Sequence, residues 1–238
     1  MGRDARAALI GGAFDFAREV RVEPEHDWLS AALADAARGS FPAADHAVRL
    51  VPSPVGANAA LVAFSGHHVI ASDLEPALVM SGLRNGGFAL PTDPRFLAWL
   101  TDAAGGSSPA DTIDVVLARA GTADPDAPPF VAPSAADLED PRVAFAAATR
   151  TDLRLLRPEG MDAVVVLGRG LERRLEVSIE LGASERGSGV AGRFLDAALA
   201  AAGPNELVFA QVSAGNAAAL RVAAGVGFAP ICAEYLIR

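Results

Sequence analysis

The sequence predicts an α/β (α+β) chain, with a mixed, mainly antiparallel sheet flanked by helices and a smaller N-terminal α/β domain. Three observations predict it. Short β-branched runs recur between alanine-rich stretches of helical period. The last hundred or so residues read in the order β-β-β-loop-α-β-α-β. Between the two regions, residues 121–135 (GTADPDAPPFVAPSA) hold four prolines and no periodicity. That stretch divides an N-terminal domain at 1–120 from a second at 136–238.

In chain order, ARAALIGGAFDFAREV (5–20) and DWLSAALADAARG (27–39) carry helical patterns, the second stopped by Gly39. HAVRLVP, AALVAFSG and HHVIAS are strand candidates, and the last two pair through a tight turn at Ser65-Gly66. Asp73 is placed to cap a helix LEPALVMSGL, and Asp93-Pro94 to open another, RFLAWLTDAA. DTIDVVLARAG returns to strand. Beyond the boundary, VAFAAATRTDLRLLRP, MDAVVVLGRG and RRLEVSIEL read as three strands of an antiparallel meander, with turns at Glu159-Gly160 and Gly168 to Leu171. A helix from about Val190 to Ala202 stops at Gly203-Pro204-Asn205. ELVFAQV is then a strand, SAGNAAALRVAAGVG a helix capped at Ser213, and APICAEYLIR a last strand.

Composition excludes whole classes of function. The chain has 238 residues, enough for one large domain or two small ones, and 51% of them are apolar, largely through alanine. No stretch approaches the ~18–20 apolar residues of a spanning helix, so no membrane partner is expected. The N-terminus has acids on both sides of its apolar run, unlike a signal peptide. One cysteine, Cys232, leaves no internal disulfide or cysteine metal cluster, and a cytoplasmic setting fits. Net charge is −9, which repels phosphate backbones, and no basic cluster offsets it, so no nucleic-acid partner is expected. That overall field leans slightly towards a cationic amine or basic peptide. Lysine is absent and all 20 basic residues are arginine, which excludes a lysine phosphate loop, a Schiff base and pyridoxal chemistry. The histidines are His26, His46, His67 and His68, so the second region must work without imidazole. His67 and His68, adjacent in a strand, face opposite ways and cannot both ligate one metal in regular geometry. A hairpin pair with one packed and one solvated is the plain reading; a base reaching across a cleft is the other.

The glycine loop after LEVSIEL carries the chemistry. Gly187-Ser188-Gly189-Val190-Ala191-Gly192 matches the dinucleotide fingerprint G-x-G-x-x-G. Its context does not: five residues separate Leu181 from the first glycine, and the next strand ends in Gln211-Val212-Ser213 with no ribose-binding acid. Only about 46 residues remain for a parallel sheet. Moved one place upstream, Arg186-Gly187-Ser188-Gly189-Val190-Ala191 fits [Q/R]-x-x-G-x-[G/A]. Backbone amides entering a helix N-terminus there can meet an anion, and two glycines let a pyrophosphate approach. Arg186 and Arg193 add charge. A glycine-rich turn that holds nothing is the bland alternative.

With this loop, the strand RLEVSIEL, the strand ELVFAQV and the segment NAAALRVAAGVGF from Asn216 to Phe228, residues 140–238 resemble the GNAT superfamily of acetyl-CoA-dependent N-acetyltransferases. The resemblance implies acetyl-CoA as cosubstrate and no metal. It implies a pyrophosphate cradle of Arg186, Gly187, Ser188, Gly189, Val190 and Ala191, with Ile179 to Leu181 facing the pantetheine. It also brings Asn216 near the cofactor. The partner implied is an amine acceptor; a homodimer is left open. Alternation puts Glu176, Ser178 and Glu180 on one strand face, and since the family often uses a carboxylate here, Glu176 and Glu180 are the candidate bases. A solvated polar face is the alternative. Many members carry a tyrosine that protonates the departing thiolate where this chain has Ala223. Tyr235 and Cys232, three residues apart on a strand, face opposite sides and read first as packing residues. A non-catalytic member that binds coenzyme A or a protein partner is the rival reading. The N-terminal domain reads as a degenerate second copy of the fold or as a cover on the substrate side.

Overall fold

A computed structural model describes residues 20–22, 27–85, 91–106 and 113–238. The helix expected over 5–20 lies outside them apart from Val20, which stands in a strand. In chain order the elements are β1 (Val20–Val22), α1 (Trp28–Ala37), β2 (Val48–Val51), β3 (Ala59–Phe64), β4 (His67–Ser72), α2 (Pro76–Asn85), α3 (Pro94–Ala103) and β5 (Asp114–Ala120). After the proline-rich stretch come α4 (Pro141–Thr149), β6 (Thr151–Leu156), β7 (Ala163–Arg169), β8 (Leu175–Leu181), α5 (Val190–Ala202), β9 (Leu207–Ser213), α6 (Ala217–Gly225) and β10 (Ala229–Ile237).

Local chemistry explains most boundaries. Gly66, at φ +70°, lets β3 turn straight into β4, and the hairpin registers Phe64 opposite His67. Asp93 caps α3 by accepting from the Arg95 amide at 2.9 Å, and Pro94 needs no donor in the first turn. Three expectations are corrected. Asp73 does not cap α2; its carboxylate accepts from the Ser53 amide at 3.0 Å, while Pro76 opens the helix. The cap of α6 is Asn216, whose side chain accepts from the Ala219 amide at 3.1 Å, rather than Ser213. The stretch read as one strand from Val143 begins instead as α4. Asp140 caps it through the Arg142 and Val143 amides at 2.8 and 3.4 Å, and Pro141 starts it. Its alanines favour helix, and Val143 and Ala146, three apart, bury one stripe of it.

Among the described residues all ten strands form one sheet in the order β1-β2-β4-β3-β10-β5-β9-β8-β7-β6. Only β1·β2, β2·β4 and β8·β9 pair in parallel, so the sheet is mixed and mainly antiparallel, as the sequence predicts. The meander β6-β7-β8 is present. The chain crosses its own midpoint twice. β5 lies between β9 and β10, and β10 lies between β3 and β5.

Helices cover both faces. On one face α5 and α6 pack on Leu117, Val165, Leu167, Val177, Val208 and Ala210, and α2 and α3 pack on Leu61, Ile70 and Ile237. On the other, α1 covers Val62, Val69, Val116 and Ile231, and α4 covers Leu155, Val164 and Val166. Burial of these apolar faces is the main source of stability. No described helix is long and apolar enough to cross a membrane.

Candidate functional site

The site is built around a fault in the sheet. β8 runs from Leu175 to Leu181, yet it pairs with β9 only at Leu175–Val208, Glu176–Phe209 and Val177–Ala210. Each strand keeps its outer neighbour to the end: β8 pairs with β7 as far as Leu181–Ala163, and β9 with β5 as far as Ser213–Asp114. The two strands therefore diverge after Val177. Ser178 to Leu181 and Gln211 to Ser213 line a V-shaped opening in the middle of a sheet. Inner edges of this kind offer unpaired amides and carbonyls to an extended ligand that can take the place of a strand.

Beside the opening, Leu181 leads into the glycine loop. Gly187 and Gly189 stand at φ +81° and +84°, and a Cβ on either would meet nothing within 4 Å. Their glycine identity is a matter of backbone conformation, not crowding. Gly189 is the N-cap of α5, and Val190 is buried under it while Arg186, Gly187, Ser188 and Gly189 are exposed. The loop holds its shape through Ser188, whose amide and hydroxyl reach the Glu185 carbonyl at 3.3 and 2.6 Å. The first-turn amides of Val190, Ala191 and Gly192 are those a helix leaves without an intrahelical acceptor. Exposed Arg193 stands in that turn. Arg186 folds back instead, with its Nε donating to the Leu181 carbonyl at 3.0 Å and its Nη2 at 3.3 Å from Glu180. Ile179 and Leu181 are half-buried beside the α5 and α6 core. Asn216 is exposed, its carboxamide oxygen taken up by its own helix.

The two candidate carboxylates have different surroundings. Glu176 is fully buried. Its Oε1 accepts from Arg174 Nε at 2.8 Å, and its Oε2 lies 2.9 Å from Arg150 Nε. Burial pushes its pKa up, but the charges of Arg174 and Arg150 and the bond from Arg174 outweigh burial and hold it below the ordinary range. A carboxylate so held is a poor proton acceptor, and the expectation that Glu176 serves as the base is revised on that ground. Glu180 is half-exposed at the mouth of the opening, paired with Arg142 at 2.9 Å and Arg186 at 3.3 Å.

Sequence reasoning missed the network to which Glu176 belongs. Arg174 also forks onto Glu234 at 2.8 and 2.6 Å and lies over the Phe209 ring at 5.4 Å. Gln211 donates to the same Glu234 carboxylate. Arg150 Nη1 reaches the Ser178 hydroxyl at 3.1 Å. Arg150, Arg174, Glu176 and Glu234 are all buried, on the sheet face opposite the glycine loop. The available signal was Glu234, a lone charge at an inward position of the apolar strand ICAEYLI.

Other candidates sort clearly. Ala223 is buried in the α5 and α6 core. Tyr235 hydrogen-bonds Thr101 at 3.1 Å and packs under α3, whereas Cys232 packs on the opposite face. Burial and then the Glu234 charge raise the Cys232 thiol well above its usual range. His67 is buried against Asp45, with Nδ1 at 2.8 Å from Oδ1, and His68 is half-buried.

No family model matches the chain, and no curated protein matches it. Solved structures do align with it. One from Novosphingobium aromaticivorans has 22% identity over 52% of this chain and 64% of that one, at a TM-score of 0.36. One from Colwellia psychrerythraea has 13% identity over 72% and 76%, at 0.38. One from Kribbella flavida has 17% identity over 90% and 95%, at 0.43. All three are described as GNAT-family or GCN5-related acetyltransferases. The chain spans just under two thirds of the first of them. At such TM-scores the likeness carries no detail of site or substrate.

Proposed function

We propose that the chain is an N-acetyltransferase of the GNAT superfamily that moves an acetyl group from acetyl-CoA to a primary amine. The divergence of β8 from β9 after Val177, directly beside the glycine loop, is the observation that supports it most. A thioester carrying a pyrophosphate and an extended amide-bearing arm needs both features side by side. In this reading Arg186 to Ala191 and Arg193 receive the pyrophosphate. The edges at Ile179 to Leu181 and at Gln211 to Ser213 receive the arm. The neutral amine attacks the thioester carbonyl carbon, the carbon–sulfur bond breaks, and coenzyme A leaves as thiolate. With alanine at 223 that thiolate takes its proton from water, at modest cost for a group of pKa ~8.5. The amine loses its proton through water, with Glu180, the more exposed of the two carboxylates, as the candidate to assist.

Calorimetric titration of acetyl-CoA tests the reading. In Gly189→Glu the added Cβ meets nothing within 4 Å, although φ +84° strains any side chain there, and the variant sets a carboxylate where the pyrophosphate would lie. It is expected to remove binding while the variant still folds. Retained affinity refutes the placement of the ligand. A second reading, a binder of coenzyme A without turnover, is favoured by the commitment of Glu176 to two arginines and by the alanine at 223. Thiol release across a panel of amines separates the two, since tight binding with no release supports the binder.

A further inference from the structure

On the sheet face away from the glycine loop lies a cavity of about 690 Å³, lined by Val55, Gly56, residues 147–152, Arg169, Gly170 and Arg173. That volume lies within the usual range of small-molecule sites, about 300–1,000 Å³. Its charged lining is Arg150, Arg169 and Arg173 against Asp152 alone. Arg169 is committed, its guanidinium paired with both oxygens of Glu206 at 3.0 and 2.9 Å. Arg173 is exposed and makes no ion pair with a described residue. Its position is set by backbone that side chains rarely adopt: Glu172 and Arg173 both have positive φ, 52° and 58°. Two bonds to Val55 clamp this turn, from the Glu172 amide to the Val55 carbonyl and from the Val55 amide to the Glu172 carboxylate, each 2.9 Å.

Arg150 links this cavity to the opening in the sheet. It lines the cavity, its side chain is only 7% exposed, and its Nη1 donates to Ser178 at 3.1 Å. Ser178 is the first residue of β8 past the last pair with β9. The Arg150 side chain therefore reaches from the cavity to the residue beside which the thioester would lie, on the face opposite the loop.

We propose that this cavity receives the acceptor, and that the acceptor is a small primary amine bearing an oxyanion, a carboxylate or phosphate, held by Arg173 with Arg150 behind it. The inference rests on the acetyl-transfer reading. It reverses the expectation drawn from net charge, because the field at the cavity is set by local arginines and not by the distant acidic surface.

The test uses the full chain with four probes: 4-aminobutyrate, 2-aminoethyl phosphate, cadaverine and spermidine. Each is titrated calorimetrically into free and CoA-saturated protein and then assayed for thiol release with acetyl-CoA. Both oxyanion amines, or one of them, are expected to bind and turn over in preference to the diamine and polyamine. A carboxylate-only or phosphate-only result identifies the head group. Arg173→Glu is expected to weaken the oxyanion amines about 10- to 100-fold, the loss of a charge-assisted hydrogen bond. It should leave acetyl-CoA affinity unchanged, and Arg173→Lys should keep most of the selectivity. Preference for cadaverine or spermidine overturns the inference, as does failure of both oxyanion amines to bind, or binding that is unchanged in Arg173→Glu. Failure of acetyl-CoA itself to bind refutes the acetyl-transfer reading instead, whatever the amines do.

Discussion

Arg174 gives the sharpest test of what the buried charges do. Its side chain is 4% exposed and makes three charge-assisted bonds, one to Glu176 at 2.8 Å and two to Glu234 at 2.8 and 2.6 Å. Arg174→Met keeps most of the packing over Phe209 and removes the guanidinium. Glu176 then retains Arg150 and the Leu171 amide at 3.3 Å, and Glu234 retains Gln211. Two carboxylates are left with one buried cation between them. Removing one partner of a buried ion pair costs about 3–5 kcal/mol. Set against a total stability of about 5–15 kcal/mol, that is about a fifth or more of the whole. The assay is urea unfolding at pH 7, followed by circular dichroism. The deciding arm is the double variant Arg174→Met, Glu234→Gln, which removes the second carboxylate and leaves Glu176 paired with Arg150. It is expected to recover most of the loss, because the cost lies in the unpaired charge and not in the missing contact. A single-variant loss under about 1 kcal/mol, or a double variant no more stable than the single, would refute the reasoning.

Further outcomes follow from individual contacts. Asn216→Ala should cost about 1 kcal/mol by stripping the cap of α6, while Ser213→Ala should stay within about 0.5 kcal/mol, as equilibrium unfolding can show. Gly170→Ala should destabilise by about 1–3 kcal/mol or more in the same experiment, since a Cβ there would lie 2.3 Å from the Glu176 carboxyl group. His68 has its pKa lowered to about 4 by burial, then by the charges of His67 and His46. Its folded value lies below its unfolded value, so the unfolded chain takes up the proton first. Stability should therefore fall as pH drops from about 6.5 to about 4, by up to roughly 3 kcal/mol from this residue. His68→Gln should flatten that slope, and an unchanged slope would show that the ring is solvated.

Local signals were legible and non-local ones were not. The Ser65-Gly66 turn, the Asp93-Pro94 start of α3 and the strand order around the glycine loop all follow from neighbours in sequence. The same Asp-Pro signal stood at Asp140-Pro141 and marks α4, but the mix of valine, phenylalanine and alanine behind it reads equally well as strand. Asp73 and Ser213 are good capping residues, and a competing partner or a better-placed neighbour decided against them. For the candidate site, the loop and the strand before it were readable because backbone conformation there is set by glycine. The role of Glu176 was not. Alternation assigns a side chain to a face, but what waits on that face came from Arg150 and Arg174, brought together by packing.

The crossing of β5 and β10 has a mechanical consequence. Each half of the chain lends a strand to the interior of the other: β5 is enclosed by β9 and β10, and β10 by β3 and β5. A hinge between the halves would have to shear antiparallel ladders, including 59–63 against 233–237, so ligands must enter the opening without the halves swinging apart. The same interlock means that cutting the linker at 121–135 should yield a nicked but undissociated protein. Either half expressed alone would present a bare inner edge in place of the exchanged strand.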